Sequence, residues 1–221
     1  MKITVTKDFR NFKAGEVLDF SALEKFQSIT MVGENGCGKS TILQALRGKL
    51  GVTKSLYNSD FKDLGNNIEI EHNYEKVFFF DAVKDNGNDF MVGFDAVNYL
   101  EAGGFATKDL SHGQAALHYI AKFLHENEKK IVPNKTLLVF DEIDNGLSLQ
   151  NMSKFINFIR KMTYIHKCNV LIASHNPFFI TQSHICYDME TRKMLSSLSY
   201  IEKATGYVVI KPEIVKEKLS K

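Results

Sequence analysis

The chain has 221 residues, 44% of them apolar and 24% charged, with a formal net charge of +2 at neutral pH. That is enough chain for one domain with a sizeable core, in ordinary globular proportions. No apolar run approaches the roughly 20 residues of a membrane-spanning helix, and no block of five or six like charges marks a nucleic-acid-binding tail.

The first ten residues, MKITVTKDFR, carry no apolar core of a secretory signal. Cys37, Cys168 and Cys186 are odd in number and lack C-x-x-C spacing, which predicts reduced thiols and a cytoplasmic location. Residues 2–6 alternate and predict a first strand. A turn follows at Ala14-Gly15, then a short strand near Val17 to Phe20 and a buried strand ending at Ile29 to Val32. Phe9, Phe12 and Phe20 are core residues at strand spacing, with a base-flanking role for one of them as the lesser alternative.

Met31 to Leu46 reads MVGENGCGKSTILQAL. Gly33, Gly38, Lys39 and Ser40 satisfy G-x-x-x-x-G-K-[ST], and helix-spaced Ile42, Leu43, Leu46 and Leu50 follow, with Gly51 as a C-cap. Strand, glycine-rich loop and helix in that order are the context of a phosphate-binding loop. Glycines let the backbone of Gly33, Glu34, Asn35, Gly36, Cys37 and Gly38 wrap a polyphosphate, and the helix N-terminus adds its positive end. Lys39 reaches the β- and γ-phosphates in this reading, Ser40 ligates Mg²⁺ and Thr41 meets the α-phosphate. Cys37 is a small filler residue, or a thiol open to modification.

Residues 52–67 are polar and irregular. Ile68 to His72 alternates as a half-buried strand, and Val77 to Phe80 is a buried strand ending in Asp81. Residues 82–109 form a short variable insertion. Ser111 and Gln114 then make a capping box on a helix with Ala116, Tyr119, Ile120, Phe123 and Leu124 on one face. A helix N-terminus bearing a serine hydroxyl is equally a γ-phosphate receptor. Thr136 to Phe140 is apolar throughout, as in a central parallel strand, and stops at Asp141-Glu142. Carboxylates at that end of a strand lie where α/β folds bind ligands.

A helix is predicted from Leu147 to His166 and a buried strand over 169–173, ending in Ser174-His175-Asn176. Beyond Pro177 come a short helix and strand-like pieces at 185–189, 198–201 and 207–211. Pro212 opens a short amphipathic tail. The fold expected is α/β: a mostly parallel central sheet flanked by helices, with an antiparallel N-terminal β region. The whole forms one domain over 1–221, with 186–221 as a C-terminal β/helical extension.

These elements, in this order, resemble an ABC-type P-loop ATPase over roughly residues 2–185. GENGCGKST (33–41) is similar to its Walker A motif, LSHGQ (110–114) to its signature and LLVFDE (137–142) to Walker B. IDNGLS (143–148) resembles the D-loop, and His175 stands at the switch-histidine position. DFRNF (8–12), GENG and DEIDNGLS resemble the SMC, RecF and OLD-like branch of AAA ATPases in chromosome maintenance, repair and defence. Transport ATPases are the less similar branch. The chain departs from the pattern in three places. Its only glutamine between Thr41 and Ser111 is Gln44, inside the loop's own helix, leaving Asp81 to stand for the usual glutamine. His112 replaces a signature glycine, and Ser148 a D-loop aspartate.

The resemblance implies ATP and Mg²⁺ as cofactors. Ser40 and Asp141 hold the metal, Glu142 is the base that orients water, and Lys39 and His175 face the phosphates. Ser111, Gly113 and Gln114 would complete the site of a second copy, giving an ATP-dependent homodimer. DNA or a DNA-processing protein is the partner class it implies. Two alternatives stay open: the nucleotide-binding subunit of a membrane transporter, and a scaffold with negligible hydrolysis. Each residue also has a plain structural role: a strand-end cap for Asp141, an ion pair for Glu142, a turn histidine for His175.

Overall fold

The alternation of the buried strands divides the protein into layers. The computed structural model describes residues 1–50, 63–81, 120, 127–143 and 147–206. Its strands are β1 (Lys2–Val5), β2 (Val17–Asp19), β3 (Ser28–Val32), β4 (Ile68–Glu71), β5 (Lys76–Asp81), β6 (Thr136–Asp141), β7 (Asn169–Ala173), β8 (Ile185–Asp188) and β9 (Lys193–Ser196). The helices are α1 (Leu23–Phe26), α2 (Lys39–Lys49), α3 (Leu149–Tyr164), α4 (Pro177–Thr181) and α5 (Ser197–Thr205).

Six strands form one sheet in the order β5-β6-β7-β3-β8-β9. Every neighbouring pair is parallel except β8 and β9, which make an antiparallel hairpin. The order β2-β1-β4 makes a separate antiparallel sheet. The expected α/β architecture, with its antiparallel N-terminal region, is the architecture of the chain.

Both faces of the central sheet are covered, so β6 and β7 are buried along their whole length. Leu137 and Val139 point into a core shared with Ile3, Leu18 and the α2 residues Ile42 and Leu46. Leu138 and Phe140 point the other way, onto Phe155, Ile156 and Ile159 of α3. This is the period-two alternation of a strand between two apolar layers. Phe12 and Phe20 are fully buried in the first core, and Phe9 stacks on Phe12 at 5.2 Å between centroids.

One expected strand is a helix. Leu198 to Ile201 lies inside α5, and the strand is the preceding Lys193–Ser196. Ser196 Oγ accepts from the Ser199 N–H at 3.1 Å as an N-cap, and Gly206, at φ 70°, closes the helix in the left-handed region. Two further expectations shift only at their ends: α3 starts after Ser148, whose hydroxyl caps it, and α2 ends at Lys49. Gly51, the insertion at 82–109, the signature helix from Ser111 apart from residue 120, half of the D-loop (144–146) and the pieces from 207 onward lie outside the described residues.

Candidate functional site

β3 runs up the middle of the sheet and delivers the chain to its C-terminal edge, where the loop 33–38 turns into α2. The turn depends on glycine. Gly38, at φ 103°, is the N-cap of α2, and a Cβ there would lie 2.8 Å from Phe12 Cζ. A Cβ on Gly33, at φ 140°, would lie 2.8 Å from Cys37 Sγ. Both conformations are costly for any other residue.

Lys39 is 4% exposed, and its ammonium is folded into the loop. It donates to the Gly33 carbonyl at 2.9 Å and the Glu34 carbonyl at 3.1 Å, with Cys37 Sγ at 3.7 Å. Next in the helix, Ser40 Oγ donates to Asp141 Oδ1 at 2.9 Å across 101 residues of sequence. Asp141 ends β6 and is 8% exposed. Asp81, ending β5 at 9% exposure, is its register partner on the neighbouring parallel strand. The two carboxyl-bearing positions therefore share one face of the sheet at one level.

Glu142, one residue on, sits at φ 51°, a left-handed backbone that non-glycine residues rarely adopt, and its N–H donates to the Ala173 carbonyl at 3.1 Å. That bond ties the end of β6 to the end of β7. Strain of this kind, of order 1–3 kcal/mol, persists where the surrounding structure over-determines it, as the bond to Ala173 does here. Glu142 Oε1 lies 3.9 Å from His175 Nδ1. Ser174 is fully buried, and its N–H reaches the Met31 carbonyl of β3. Asn176 caps α4 by accepting from the N–H groups of Phe178 and Phe179. His175 is thus held between a strand end and a capped helix, facing Glu142.

Residues that sequence reasoning left out of the site also reach the loop. Arg10 Nη1 donates to Thr41 Oγ1 at 3.0 Å, and Asn11 Nδ2 donates to the Gly36 carbonyl. DFRNF shows two polar residues between a buried Phe12 and a half-buried Phe9, but nothing in it says which loop they reach. On the other flank the Glu34 N–H donates to Glu190 Oε1 at 3.2 Å. Ser111, Gly113 and Gln114 fall outside the described residues.

The donor set suits a hard cation. Mg²⁺ prefers oxygen ligands and takes one or two carboxylates together with substrate phosphates. A serine hydroxyl and a carboxylate oxygen already within 2.9 Å of each other fit that demand. Among the described residues no three or more His, Cys, Asp or Glu side chains converge as a self-sufficient metal cage.

Loop, strand-end carboxylates and sheet order define the class: an ATP-binding P-loop domain with an ABC-type ATPase fold. The family described as "AAA domain, putative AbiEii toxin, Type IV TA system" matches residues 52–181, more than half of the chain, and the chain belongs to that family. The match takes in Asp141, Glu142 and His175 and begins after the phosphate loop. The chain is also 26% identical over 171 residues to the molybdate import ATP-binding protein MolC of Haemophilus influenzae, across 70% of this chain and 64% of that protein's length. The ATP-binding cassette MJ1267 in its ADP conformation shares the fold at a TM-score of 0.53 and 15% identity, over 100% of this chain and 98% of that one. MJ0796, solved as a dimer in a post-hydrolysis state with ADP and phosphate, does so at 0.51 and 14%, over 89% and 99%. Among the described residues no helix is long and apolar enough to cross a membrane.

Proposed function

We propose that this chain hydrolyses ATP in the presence of Mg²⁺ and uses the cycle to switch a partner. The observation that carries the reading is the Ser40–Asp141 hydrogen bond with the Glu142–His175 pair beside it. Ser40, Asp141, Glu142 and His175 lie along one edge of the sheet next to the buried Lys39, which supports reading them as hydroxyl, metal ligand, base and histidine of one site. Phosphoryl transfer to water needs positioned charge more than covalent help, and this edge supplies it.

Lys39 and the loop amides hold the phosphates in this reading. Ser40 and Asp141 would hold Mg²⁺, whose charge offsets that of the phosphate oxygens. Asp81, level with Asp141, takes the place of the missing glutamine. Glu142 orients the water and accepts its proton, and His175 faces the γ-phosphate. Arg10 adds a second cation on the Thr41 side. Ser111, Gly113 and Gln114 of a second copy close the site, so ATP and dimerisation are coupled: a ligand favours the closed state by its differential affinity. Phosphate release in Mg-ATP tests the chemistry. A fall of about 10²–10⁴-fold in Glu142→Gln is expected; equal rates in both proteins point to a scaffold.

For the partner, DFRNF and DEIDNGLS favour the chromosome-maintenance, repair and defence branch, and the seating of Arg10 and Asn11 on the phosphate loop gives the first of these motifs a physical purpose. The transporter-subunit reading draws support from the likeness to a molybdate import protein. Co-purification with a multi-spanning protein would favour it. DNA binding that weakens steeply with salt would favour the first reading.

A further inference from the structure

The family match ends at residue 181, yet residues beyond it grip the phosphate loop. The grip is on one peptide unit, the amide joining Gly33 to Glu34. Its carbonyl accepts from Lys39 Nζ at 2.9 Å, and its N–H donates to Glu190 Oε1 at 3.2 Å. In a trans peptide these two groups point in opposite directions, so holding the N–H outward turns the carbonyl inward, toward the lysine. Gly33 carries no Cβ to hinder rotation of that plane. Glu190 supplies the restraint that the backbone lacks.

Glu190 is itself fixed. It lies in the turn between β8 and β9, organised by Asp188, which is fully buried at the end of β8. Asp188 accepts from the Glu190 N–H at 2.9 Å, the Thr191 hydroxyl at 2.8 Å and Lys203 Nζ at 2.6 Å. Lys203, on α5, also lies 3.6 Å from Glu190 Oε2. One carboxylate oxygen of Glu190 therefore faces the loop and the other faces α5. An ammonium has three donors. The Gly33 and Glu34 carbonyls take two of those on Lys39, and Cys37 Sγ lies 3.7 Å from the same ammonium, so the loop fixes where Lys39 sits.

We infer that Glu190 is a positioning residue for Lys39, acting through the Gly33–Glu34 peptide, and that it sets nucleotide affinity rather than the chemical step. The inference rests on the ATP reading given above. Glu142 and His175 stand on the β6–β7 side of β3 and Glu190 on the β8 side, so the turnover machinery does not touch it.

The test is fluorescence titration with N-methylanthraniloyl-ATP and Mg²⁺, together with steady-state phosphate release. Glu190→Ala should weaken binding about fivefold, the worth of one exposed hydrogen bond. KM for ATP should rise to match, with kcat within about twofold of wild type. Glu190→Gln keeps the accepting oxygen and should restore most of the affinity. In a Lys39→Ala background, Glu190→Ala should add nothing. Wild-type affinity in Glu190→Ala overturns the inference, and so does a Gln variant as weak as Ala, a fall in kcat as large as the rise in KM, or an undiminished effect without Lys39. A wild-type protein that binds no nucleotide overturns both the inference and the reading beneath it.

Discussion

Ser40 Oγ donates to Asp141 Oδ1 at 2.9 Å, joining the first turn of α2 to the end of β6. The bond brings together the two oxygens of the candidate metal site. It follows that Ser40 matters chiefly when Mg²⁺ is present. In Ser40→Ala, the gain in nucleotide affinity on adding Mg²⁺ should shrink by at least the roughly 10–100-fold typical of lost outer-shell partners. Calorimetric titration of ATP with and without Mg²⁺ measures this, and an unchanged Mg²⁺ dependence would remove Ser40 from the metal site.

Closure on a second copy predicts a difference between two variants. Glu142→Gln should bind ATP without turning it over and accumulate as an ATP-stabilised dimer, while Lys39→Ala stays monomeric. Light scattering with and without Mg-ATP reads the mass directly. Identical masses in every condition would eliminate the trans contribution of Ser111 and Gly113.

Gly38 tests the backbone of the loop. Gly38→Ala forces a side chain into φ 103° and onto the Phe12 ring, at a cost of about 1–3 kcal/mol from the backbone alone. The urea midpoint should fall accordingly. Adding Phe12→Leu should relieve the contact but not the backbone cost, so recovery is partial. A midpoint equal to wild type in Gly38→Ala would show that the loop does not need its glycine.

Much of this site is legible in the chain because it is local. The run from Gly33 to Thr41 carries its own strand, turn and helix signals, and Asp141-Glu142 announces itself as the end of an apolar run. Long-range contacts are another matter. Nothing in the spacing of Arg10 or Asn11 says that they fold onto Thr41 and Gly36, 31 and 25 residues away. Nothing in Glu190 points to Glu34, since only the placement of β8 beside β3 brings them together. Leu198 to Ile201 misleads because a short apolar run fits strand and helix alike. The deciding signals, Ser196 as cap and Gly206 as stop, flank it rather than lie within it.

The β8–β9 turn gives a pH dependence. Burial pushes the Asp188 carboxyl up, but Lys203, the Glu190 N–H and the Thr191 hydroxyl outweigh it and hold the group below its ordinary value of 3.8. A carboxyl lowered in the folded state contributes stability that is present above 3.8 and lost as pH falls through the still lower folded value. Lys203→Met removes the strongest of the lowering contacts. Its acid-unfolding limb should therefore move to higher pH, as read by urea midpoints between about pH 3 and 6. Superimposable acid limbs would mean that Lys203 leaves Asp188 unperturbed.

The most direct measurement is the identity of the nucleotide that stays with the protein. Wild type and Glu142→Gln are incubated with ATP and Mg²⁺, passed rapidly through a desalting column, denatured, and their nucleotide resolved. The account predicts ADP from wild type and intact ATP, one per chain, from Glu142→Gln. ADP in equal amounts from both, or no retained nucleotide from either, would contradict it.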